Sequence, residues 1–519
     1  MRYSIFSENE WLYPDSEIID RTKADLHAPR NSDICFQILT DLVLEGGEKI
    51  EFFFDAEGCR AELYQLLPVR VSENSDPVLY TTTDYESAKD FVTRKAPFDV
   101  YEITRPLDSG ILSAERLALF VRINVDRDAA VGVREEVLTI NVNDEALKVP
   151  LSLTTYSVRI PALSDANFHM VNWIAYGYVT SSHGVEIMSD KYKEILQKYC
   201  ENQVDMRSDY LMLPKGEPIR DENGRVVDFD FSHAEFVGNL ALKCGYNKIM
   251  GGFVAHWNDW RDSELYLVWD RETDSASIEG YRQLKIYFEG VRKCILRNGW
   301  SDVYMQCLVD EPQFSSSLTY RAISAICRKC LPGITIHDPV ESTEIGGALD
   351  VWVIKQALYE KHYENFKKLQ DMGEEMWIYT CGFPSGKTMN RIIDLPLTVS
   401  RLPMWMCYKY GCPGFLHWGY NEYDPAISPD THFRTKKGRV HPAGNAFVVT
   451  PGDDRPWYGV RAHAQRLGAY DWELLNILGK KDKDKALALI DRVCRTFDDY
   501  DASATLLDET RKELLRTIG

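Results

Sequence analysis

The sequence predicts an α/β protein in which an N-terminal all-β sandwich precedes a (β/α)8 TIM-like barrel, with a short C-terminal helical segment. Apolar runs early in the chain are short, β-branched and separated by turn signals. Later, eight short apolar runs alternate with helical patterns, as parallel β/α units do. The end of the chain shows the helical period alone. We assign 1–158 to the sandwich, 159–478 to the barrel and 479–519 to the helical segment, which we expect to pack on the barrel.

The sandwich is predicted from strand-like runs that can close into two packed sheets. The clearest runs are "ICFQILTDLVL" (34–44), "IEFFF" (50–54), "ALFVRINV" (118–125) and "EALKVPLSLTTYSVRIP" (145–161). The unbroken run at 50–54 is typical of a core and not of a clustered aromatic platform for sugars. We therefore interpret the sandwich as a rigid support for the barrel, with a carbohydrate-binding module as the alternative.

Eight candidate strands predict the barrel. They begin at residues 168, 209, 247, 302, 333, 348, 375 and 412, with helical patterns between them that begin at 190, 280, 317, 358 and 397. In such a barrel the catalytic groups lie at the C-terminal ends of the strands, because the loops that follow the strands project there. The polar side chains at those ends are therefore candidates for a functional site.

Charge and composition disfavour several classes of function. The net charge of −19 repels a polyanion, so we expect no nucleic-acid partner. No apolar run approaches the roughly 18 residues of a membrane span and no signal-peptide pattern begins the chain, so we expect a cytoplasmic protein without membrane binding. The CxxC pair Cys327 and Cys330 has no second pair and no nearby histidines, so we interpret it as structural.

Polar and aromatic residues converge on the predicted C-terminal rim of the barrel. The candidates are His256 and Trp257 on the third strand, Asp310 and Glu311 on the fourth, His337 and Asp338 on the fifth, Trp352 on the sixth, Tyr379 on the seventh, and His417, Trp418 and Asn421 on the eighth. Three of them, His256, Trp257 and Trp352, are assigned from strand position alone.

The most informative pair is Asp310 and Glu311, in the run "VYMQCLVDEPQF". Neighbours in a regular strand point to opposite sides, so two acids within the strand cannot face one site. The polar Gln306 shares the parity of Asp310, which predicts that this register faces the lumen. Pro312 lacks the N–H that a central ladder needs, so we expect Glu311 just past the strand, where the backbone can turn. Both carboxylates can then approach one substrate.

An acid pair at this rim suits cleavage of a glycosidic bond, in which one group protonates the leaving oxygen. Ordinary retaining enzymes hold their carboxyls about 5 Å apart. Adjacent acids favour a substrate-assisted reaction, in which the 2-acetamido carbonyl of the sugar is the nucleophile. Two alternatives stay open: a glycosidase of another specificity that pairs Asp310 or Glu311 with Asp338, and a sugar-binding protein without turnover.

Three segments resemble the catalytic domain of glycoside hydrolase family 123, the β-N-acetylgalactosaminidases, and the wider DUF4091 group. They are "LVDEP" (308–312), the stretch from "WIYTCGFP" (377–384) through "NRIIDLP" (390–396) to "HWGYN" (417–421), and "GVRAHAQRLGAYDWELL" (459–475). The resemblance covers roughly 300–478 by motif and the rest by layout. It implies a retaining exo-enzyme that removes terminal β-linked N-acetylgalactosamine from a glycan or glycoside through an oxazolinium intermediate, with no metal and no cofactor.

The resemblance also implies roles for individual residues. Asp310 matches the residue that polarises the acetamido group, and Glu311 matches the acid/base. Other matches expected near the sugar are Tyr379, Asn390, Arg391, Trp418 and Asn421. We interpret Arg401, Arg461, Arg466 and Asp471 as structural, through helix packing and ion pairs. The chain departs from the family pattern at Thr450, Trp472 and Tyr423, which leaves the identity of the sugar open.

Overall fold

The computed structural model describes residues 1–259, 262–425, 430–435 and 438–519. The N-terminal region forms one short helix, α1 (Tyr85–Ala88), and strands β1 to β11. These strands are β1 (Tyr3–Ser7), β2 (Ala24–Arg30), β3 (Ser32–Thr40), β4 (Ile50–Phe53), β5 (Cys59–Val71), β6 (Asn74–Ser75), β7 (Thr81–Thr82), β8 (Phe98–Pro106), β9 (Ala118–Val125), β10 (Gly132–Val142) and β11 (Glu145–Arg159).

The rest of the described chain alternates strands and helices. The strands are β12 (His169–Asn172), β13 (Tyr210–Met212), β14 (Glu217–Arg220), β15 (Val226–Asp230), β16 (Lys248–Gly251), β17 (Ala255–His256), β18 (Tyr266–Leu267), β19 (Asp270–Asp274), β20 (Tyr304–Gln306), β21 (Thr335–Val340), β22 (Val351–Lys355), β23 (Glu375–Thr380), β24 (Gly414–His417), β25 (Val449–Pro451) and β26 (Pro456–Gly459). The helices are α2 (Tyr176–His183), α3 (Asp190–Asp205), α4 (Ser232–Cys244), α5 (Ile278–Asn298), α6 (Ser317–Cys330), α7 (Gln356–Lys361), α8 (Tyr363–Asp371), α9 (Leu402–Lys409), α10 (Val460–Gly479), α11 (Lys483–Val493) and α12 (Ala504–Ile518).

The N-terminal strands form two packed sheets, in the orders β1-β3-β9-β5-β8-β26-β25 and β2-β11-β10-β4. In strand β10, buried residues alternate with more exposed ones, as expected for a strand with one face on the core between the two sheets. Leu138, Ile140 and Val142 are buried and the residues between them are not. They pack in one cluster with Leu119 and Ile123 of β9, in the opposite sheet. The range 159–478 that we assigned to the barrel therefore contains two strands, β25 and β26, of the N-terminal sheet.

Eight parallel strands form the barrel, in the order β12-β24-β23-β22-β21-β20-β16-β13. The ring is nearly closed between β12 and β13, where the N–H of Asp209 donates to the carbonyl of Met170 at 3.1 Å. The TIM-like barrel predicted after a β-sandwich is thus confirmed. The connection between β21 and β22, residues 341–350, contains no helix, so the loop there is free to contribute side chains to the rim.

Side chains of the barrel strands alternate between the lumen and the surrounding helices. In β22, Val351 and Val353 pack in the lumen together with Met305 of β20. Trp352 and Ile354 belong instead to the larger core between the strands and the helices. This alternation decides which residues of each strand can reach the site.

Buried ion pairs join the barrel to the sandwich. Three arginines without exposed side-chain surface each bind a carboxylate of the N-terminal domain at 2.8 Å, namely Arg401 to Glu8, Arg461 to Glu102 and Arg466 to Asp33. A buried charge left without its partner costs several kcal/mol, typically about 3–5. The structural interpretation of these arginines is confirmed, and the two domains are fixed to each other by them.

The C-terminal helices α11 and α12 pack on α10, and α12 also packs against β2 and β11 of the sandwich. Lys512 of α12 lies 2.7 Å from the carboxylate of Asp25, and Arg511 donates to the carbonyl of His27 at 2.8 Å. The helical segment therefore contacts both domains. None of the helices in the described ranges is long and apolar enough to cross a membrane.

Candidate active site

The fourth barrel strand, β20, ends at Gln306, four residues before the acid pair. Beyond it, the N–H of Leu308 donates to the two carboxylate oxygens of Asp338 at 2.9 and 3.0 Å. The Tyr320 hydroxyl donates to the same carboxylate at 2.8 Å. A buried N–H needs a partner, and here a side chain supplies it in place of a strand. Asp338, from the neighbouring strand, therefore positions the irregular segment that leads to the acid pair.

The register that we inferred from Gln306 is wrong. Met305 and Cys307 face the lumen. Gln306 is buried outside the lumen and accepts a hydrogen bond from the Tyr304 hydroxyl at 2.9 Å. Asp310 still reaches the site because the regular strand has already ended, so strand parity does not decide its direction. For the same reason Asp338, which points away from the lumen, is not a partner for the acid pair.

Glu311 turns the chain at the end of this segment. Its φ of +50° lies in the left-handed region, which costs a residue other than glycine about 1 kcal/mol or more. Its N–H donates to the carbonyl of Pro339 at 3.0 Å, and the N–H of Glu341 donates to the carbonyl of Pro312 at 3.2 Å. These bonds hold the turn against the end of β21. Asp310 and Glu311 consequently line the same cavity.

The cavity has a volume of about 620 Å³, within the range of small-molecule sites. Most of its lining belongs to a charged set and an aromatic set. The charged set, with one tyrosine hydroxyl, is Asp310, Glu311, Glu341, Lys355, Arg439 and Tyr379, and the aromatic set is Tyr80, Trp173, Phe383, Trp418 and His441. Such a lining offers proton donors and acceptors next to flat rings on which an uncharged ring can lie.

Lys355, the last residue of β22, lies between two carboxylates. Its Nζ is 3.3 Å from Oε1 of Glu311 and forms an ion pair with Oε1 of Glu341. The Tyr379 hydroxyl of β23 donates to the same Oε1 of Glu311. Glu311 is thus oriented by two donors, one from each of two neighbouring strands.

The acids in this cavity are held away from their ordinary protonation state. Burial, together with the negative charge of Glu311, raises the pKa of Asp310 to about 8. Burial also raises the pKa of Glu311, against the lowering effect of Lys355. Burial acts to lower the pKa of Lys355, but the charges of Cys381, Glu311 and Glu341 raise it. The adjacent carboxyls therefore retain a proton near neutral pH, as a general acid must.

Comparison with known proteins identifies the family. The catalytic domain model of glycoside hydrolase 123 matches residues 173–478, which is more than half of the chain. The chain belongs to glycoside hydrolase family 123. No curated protein sequence gives a significant match.

Solved structures give the corresponding likeness in fold. A family 123 glycoside hydrolase from Clostridium perfringens, analysed for glycolipid glycan hydrolysis, matches with a TM-score of 0.76 at 13% identity, over 99% of this chain and 96% of its own. The endo-beta-1,4-mannanase from Thermotoga petrophila gives a TM-score of 0.39 at 14% identity, over 60% of this chain and 78% of its own. At these identities the likeness concerns the fold alone.

In this family 123 glycoside hydrolase, the N-terminal domain reaches the cavity through Leu79 and Tyr80. The base of that loop is tied to the barrel by Asp394, in the motif "NRIIDLP". Its carboxylate accepts the N–H and the hydroxyl of Ser75, both at 2.7 Å, and the side chain of Asn74 at 3.2 Å. The sandwich is therefore part of the wall of the site as well as a support.

Four of the sequence-predicted site residues line the cavity: Asp310, Glu311, Tyr379 and Trp418. Trp352 does not, which corrects its assignment to the rim. Its ring lies among the helices, its indole N–H donates to Glu374 at 2.9 Å, and none of the residue is exposed. The physical reason is the alternation of β22, in which the neighbours of Trp352 take the lumen positions.

Two other motif residues, Asn390 and Arg391, support the site from outside the cavity lining. The side-chain amide of Asn390 donates to the carbonyl of Cys381 at 2.5 Å. The guanidinium of Arg391 donates to the side chain of Asn172, at the end of β12, at 2.7 Å. Both side chains are buried. In the described structure they hold the segments at the ends of β23 and β12.

On the eighth strand, His417 and Asn421 are also outside the lining. Buried His417 accepts the N–H of Gly419 at its Nδ1, at 3.0 Å. The side chain of Asn421 bonds both the N–H and the carbonyl of Ala175, at 2.8 and 3.2 Å. The two residues shape the loops around Trp418, which does line the cavity.

Trp257, which follows the third barrel strand, contacts the backbone of the acid pair, and His256 contacts Trp257. Nδ1 of His256 lies 2.6 Å from the carbonyl oxygen of Trp257. The indole N–H of Trp257 donates to the carbonyl of Asp310 at 3.2 Å. Trp257 therefore supports the backbone of the pair and does not form part of the cavity wall.

Sequence reasoning missed Glu341, Lys355 and Trp173. Lys355 ends the apolar strand β22 and Glu341 directly follows β21, so the rule that selected other strand ends was sufficient to find them. Trp173 follows β12 in the same way, and its buried indole N–H has no acceptor among the described residues. Within those residues, no three His, Cys, Asp or Glu side chains are arranged to hold a metal ion.

Proposed function

We propose that this glycoside hydrolase removes terminal β-linked N-acetylgalactosamine from glycans, with retention, by substrate-assisted catalysis. The observation that carries the proposal is the turn at Glu311, whose φ of +50° brings two sequence-adjacent acids to one cavity. Consecutive Cα atoms are only about 3.8 Å apart, so the two carboxyls approach the substrate from the same short stretch of the rim. They can serve two neighbouring groups of one sugar, the acetamido group and the leaving oxygen.

The reaction then has two balanced steps. The acetamido N–H donates to the Asp310 carboxylate, and the acetamido oxygen attacks C1 while Glu311 gives its proton to the leaving oxygen. In the second step, the Glu311 carboxylate takes a proton from water as the water attacks C1 and opens the oxazolinium ring. A donor bound to a carboxylate favours its ionised form. Substrate binding therefore lowers the pKa of Asp310 and leaves the shared proton on Glu311.

The natural substrate in this proposal is the carbohydrate part of a larger conjugate. A TIM-like rim with a cavity of about 620 Å³ can hold a terminal sugar at its base, with the rest of the glycan at the mouth and beyond it. The Clostridium perfringens enzyme of similar fold was analysed for glycolipid glycan hydrolysis. A glycolipid glycan is accordingly the first natural substrate to test.

The proposal is tested with aryl glycosides. Wild type is expected to cleave an aryl β-N-acetylgalactosaminide, and Glu311→Gln is expected to lose at least about a thousandfold in kcat/KM unless the leaving group is activated. Glu344→Gln, an exposed residue on the loop after β21, is the matched control. A thiazoline mimic of the cyclised intermediate is expected to inhibit tightly. Equal cleavage of the aryl β-galactoside, which lacks the acetamido group, contradicts the mechanism.

A second candidate function rests on Glu341, a third carboxylate in the same cavity. Paired with Glu311 across Lys355, it offers the two-carboxyl arrangement of glycosidases whose substrates carry no acetamido group. In that case Glu341→Gln abolishes turnover and Asp310→Asn preserves it. The substrate-assisted mechanism gives the larger loss in Asp310→Asn, so kcat values of the two variants separate the candidates.

A further inference from the structure

A loop of the N-terminal domain, residues 76–80, is docked on the barrel at the mouth of the cavity. Ser385, which follows β23, donates its N–H to the carbonyl of Val78 at 3.2 Å and its hydroxyl to the carbonyl of Asp76 at 2.7 Å. The chain passes so close at Gly386 that a Cβ there would lie 2.3 Å from the carbonyl oxygen of Pro77. The loop is therefore held by the same barrel connection that carries the cavity residue Phe383.

Tyr80, at the end of this loop, is held from three directions. The guanidinium of Arg439 donates to its hydroxyl at 2.7 Å and lies 5.4 Å from the centre of its ring. The ring of His441 meets it edge to face at 5.3 Å. The N–H of Asp76 donates to its carbonyl at 3.1 Å. Its φ of +71° is costly for a tyrosine, so the packing around the residue also holds its backbone against strain.

The position of Tyr80 within the cavity follows from exposure. Leu416 and Tyr379 are 1% and 3% exposed and form the base. Phe383 is 43% exposed, and Arg439 is also exposed, so these residues form the mouth. Tyr80 contacts Arg439 and is itself partly exposed. An exo-acting enzyme takes the terminal sugar to the base, so the next sugar of the glycan lies at the mouth, against Tyr80.

We propose that Tyr80 is a specificity-determining residue, on whose ring the sugar unit next to the scissile bond packs. The inference rests on the proposed function, because it requires the terminal sugar at the base of the cavity. An aromatic ring that is already fixed loses little conformational freedom when a ligand covers it, and it offers apolar area and a polar edge. The N-terminal domain thereby selects what the terminal sugar is attached to.

The test separates the two sugar positions. The KM of a glycan with at least two sugars reports both positions, whereas the Ki of the monosaccharide thiazoline reports the base alone. Two variants remove the ring, Tyr80→Ala and Tyr80→Gly. Because glycine tolerates the positive φ, a rise in KM that both variants share is not caused by backbone strain. Tyr80→Phe keeps the ring. Tyr85→Ala is the control, since Tyr85 belongs to the same domain but is not in the cavity lining.

For both ring-removing variants we expect the KM of the glycan to rise roughly tenfold, with the Ki of the thiazoline changing by less than about twofold. Tyr80→Phe is expected to keep most of the glycan affinity. An unchanged KM, or an equal rise in KM and Ki, overturns the inference. A failure of the proposed function has a different result, because the thiazoline then does not inhibit the wild-type enzyme. In that case the inference is tested with the sugar class that wild type does cleave or bind. Calorimetry then measures the affinity of each variant for a disaccharide of that class and for its terminal monosaccharide.

Discussion

The ammonium of Lys355 lies 3.3 Å from the Glu311 carboxylate, with only 6% of the lysine side chain exposed. The same ammonium pairs with Glu341, so one buried cation serves a cavity with three carboxyls. The excess of negative charge raises carboxyl pKa values, and Lys355 limits that rise. This balance sets the pH range in which one carboxyl is ionised while its neighbour is protonated.

Lys355→Met is expected to move the pH profile of kcat/KM to higher pH. Lys355 lowers the pKa of both Asp310 and Glu311, so its loss raises both. The acid limb of the profile reports the ionisation of Asp310, and the basic limb reports the deprotonation of Glu311. Both limbs are expected to shift upward by about one pH unit. The measurement is kcat/KM from about pH 5 to about pH 11 with an aryl substrate, a range that includes both limbs before and after the shift. Lys355→Arg, which keeps the charge, is expected to keep the profile, and an unshifted profile in Lys355→Met contradicts the role.

Asp310→Asn is expected to stabilise the fold increasingly as pH rises. The folded pKa of Asp310, about 8, is above the value of about 4 of an unfolded aspartate. Between these values the folded state binds the extra proton, so the stability of wild type falls with rising pH, and the asparagine variant lacks this cost. The gain in Tm over wild type should be small at pH 4 and largest near pH 8. A gain that is constant with pH is the contrary result.

Asp338→Asn is expected to reduce both stability and turnover. The variant keeps the shape of the side chain, but an amide N–H₂ replaces one of the two oxygens that accept the N–H of Leu308 and the hydroxyl of Tyr320. A buried group left unsatisfied costs about 1–3 kcal/mol, and the segment before Asp310 loses its support. Tyr320→Phe, which leaves Leu308 bound, is the control. Chemical denaturation and kcat measure the two effects, and kcat equal to that of Tyr320→Phe argues against a positioning role.

The acid pair and the barrel could be predicted because they depend on local signals. Alternating runs predict the strands, and Pro312 excludes a regular strand beyond the acid pair, although the fourth strand ends earlier, at Gln306. The register inferred from Gln306 was wrong because its polar side chain finds a hydrogen-bond donor, the hydroxyl of Tyr304, outside the lumen. Tyr80 had no local signal, since it reaches the cavity only through the packing of one domain on another. A sequence pattern reports neighbours along the chain, and this site is completed by residues about 360 positions apart, as in the Tyr80 to Arg439 contact.

Substitutions of Trp352 and Trp418 test which of the two side chains faces the substrate and which packs among the helices. Trp352→Phe is expected to leave the KM of an aryl substrate within about twofold of wild type, since its ring packs against Phe366 of α8. The smaller ring and the lost hydrogen bond to Glu374 should lower the free energy of unfolding by about 1–3 kcal/mol. Trp418→Phe changes the wall of the cavity and is expected to raise KM severalfold with a smaller loss of stability. Steady-state kinetics and urea denaturation of both variants measure this. The reverse pattern would place Trp352 at the substrate and contradict the register of β22.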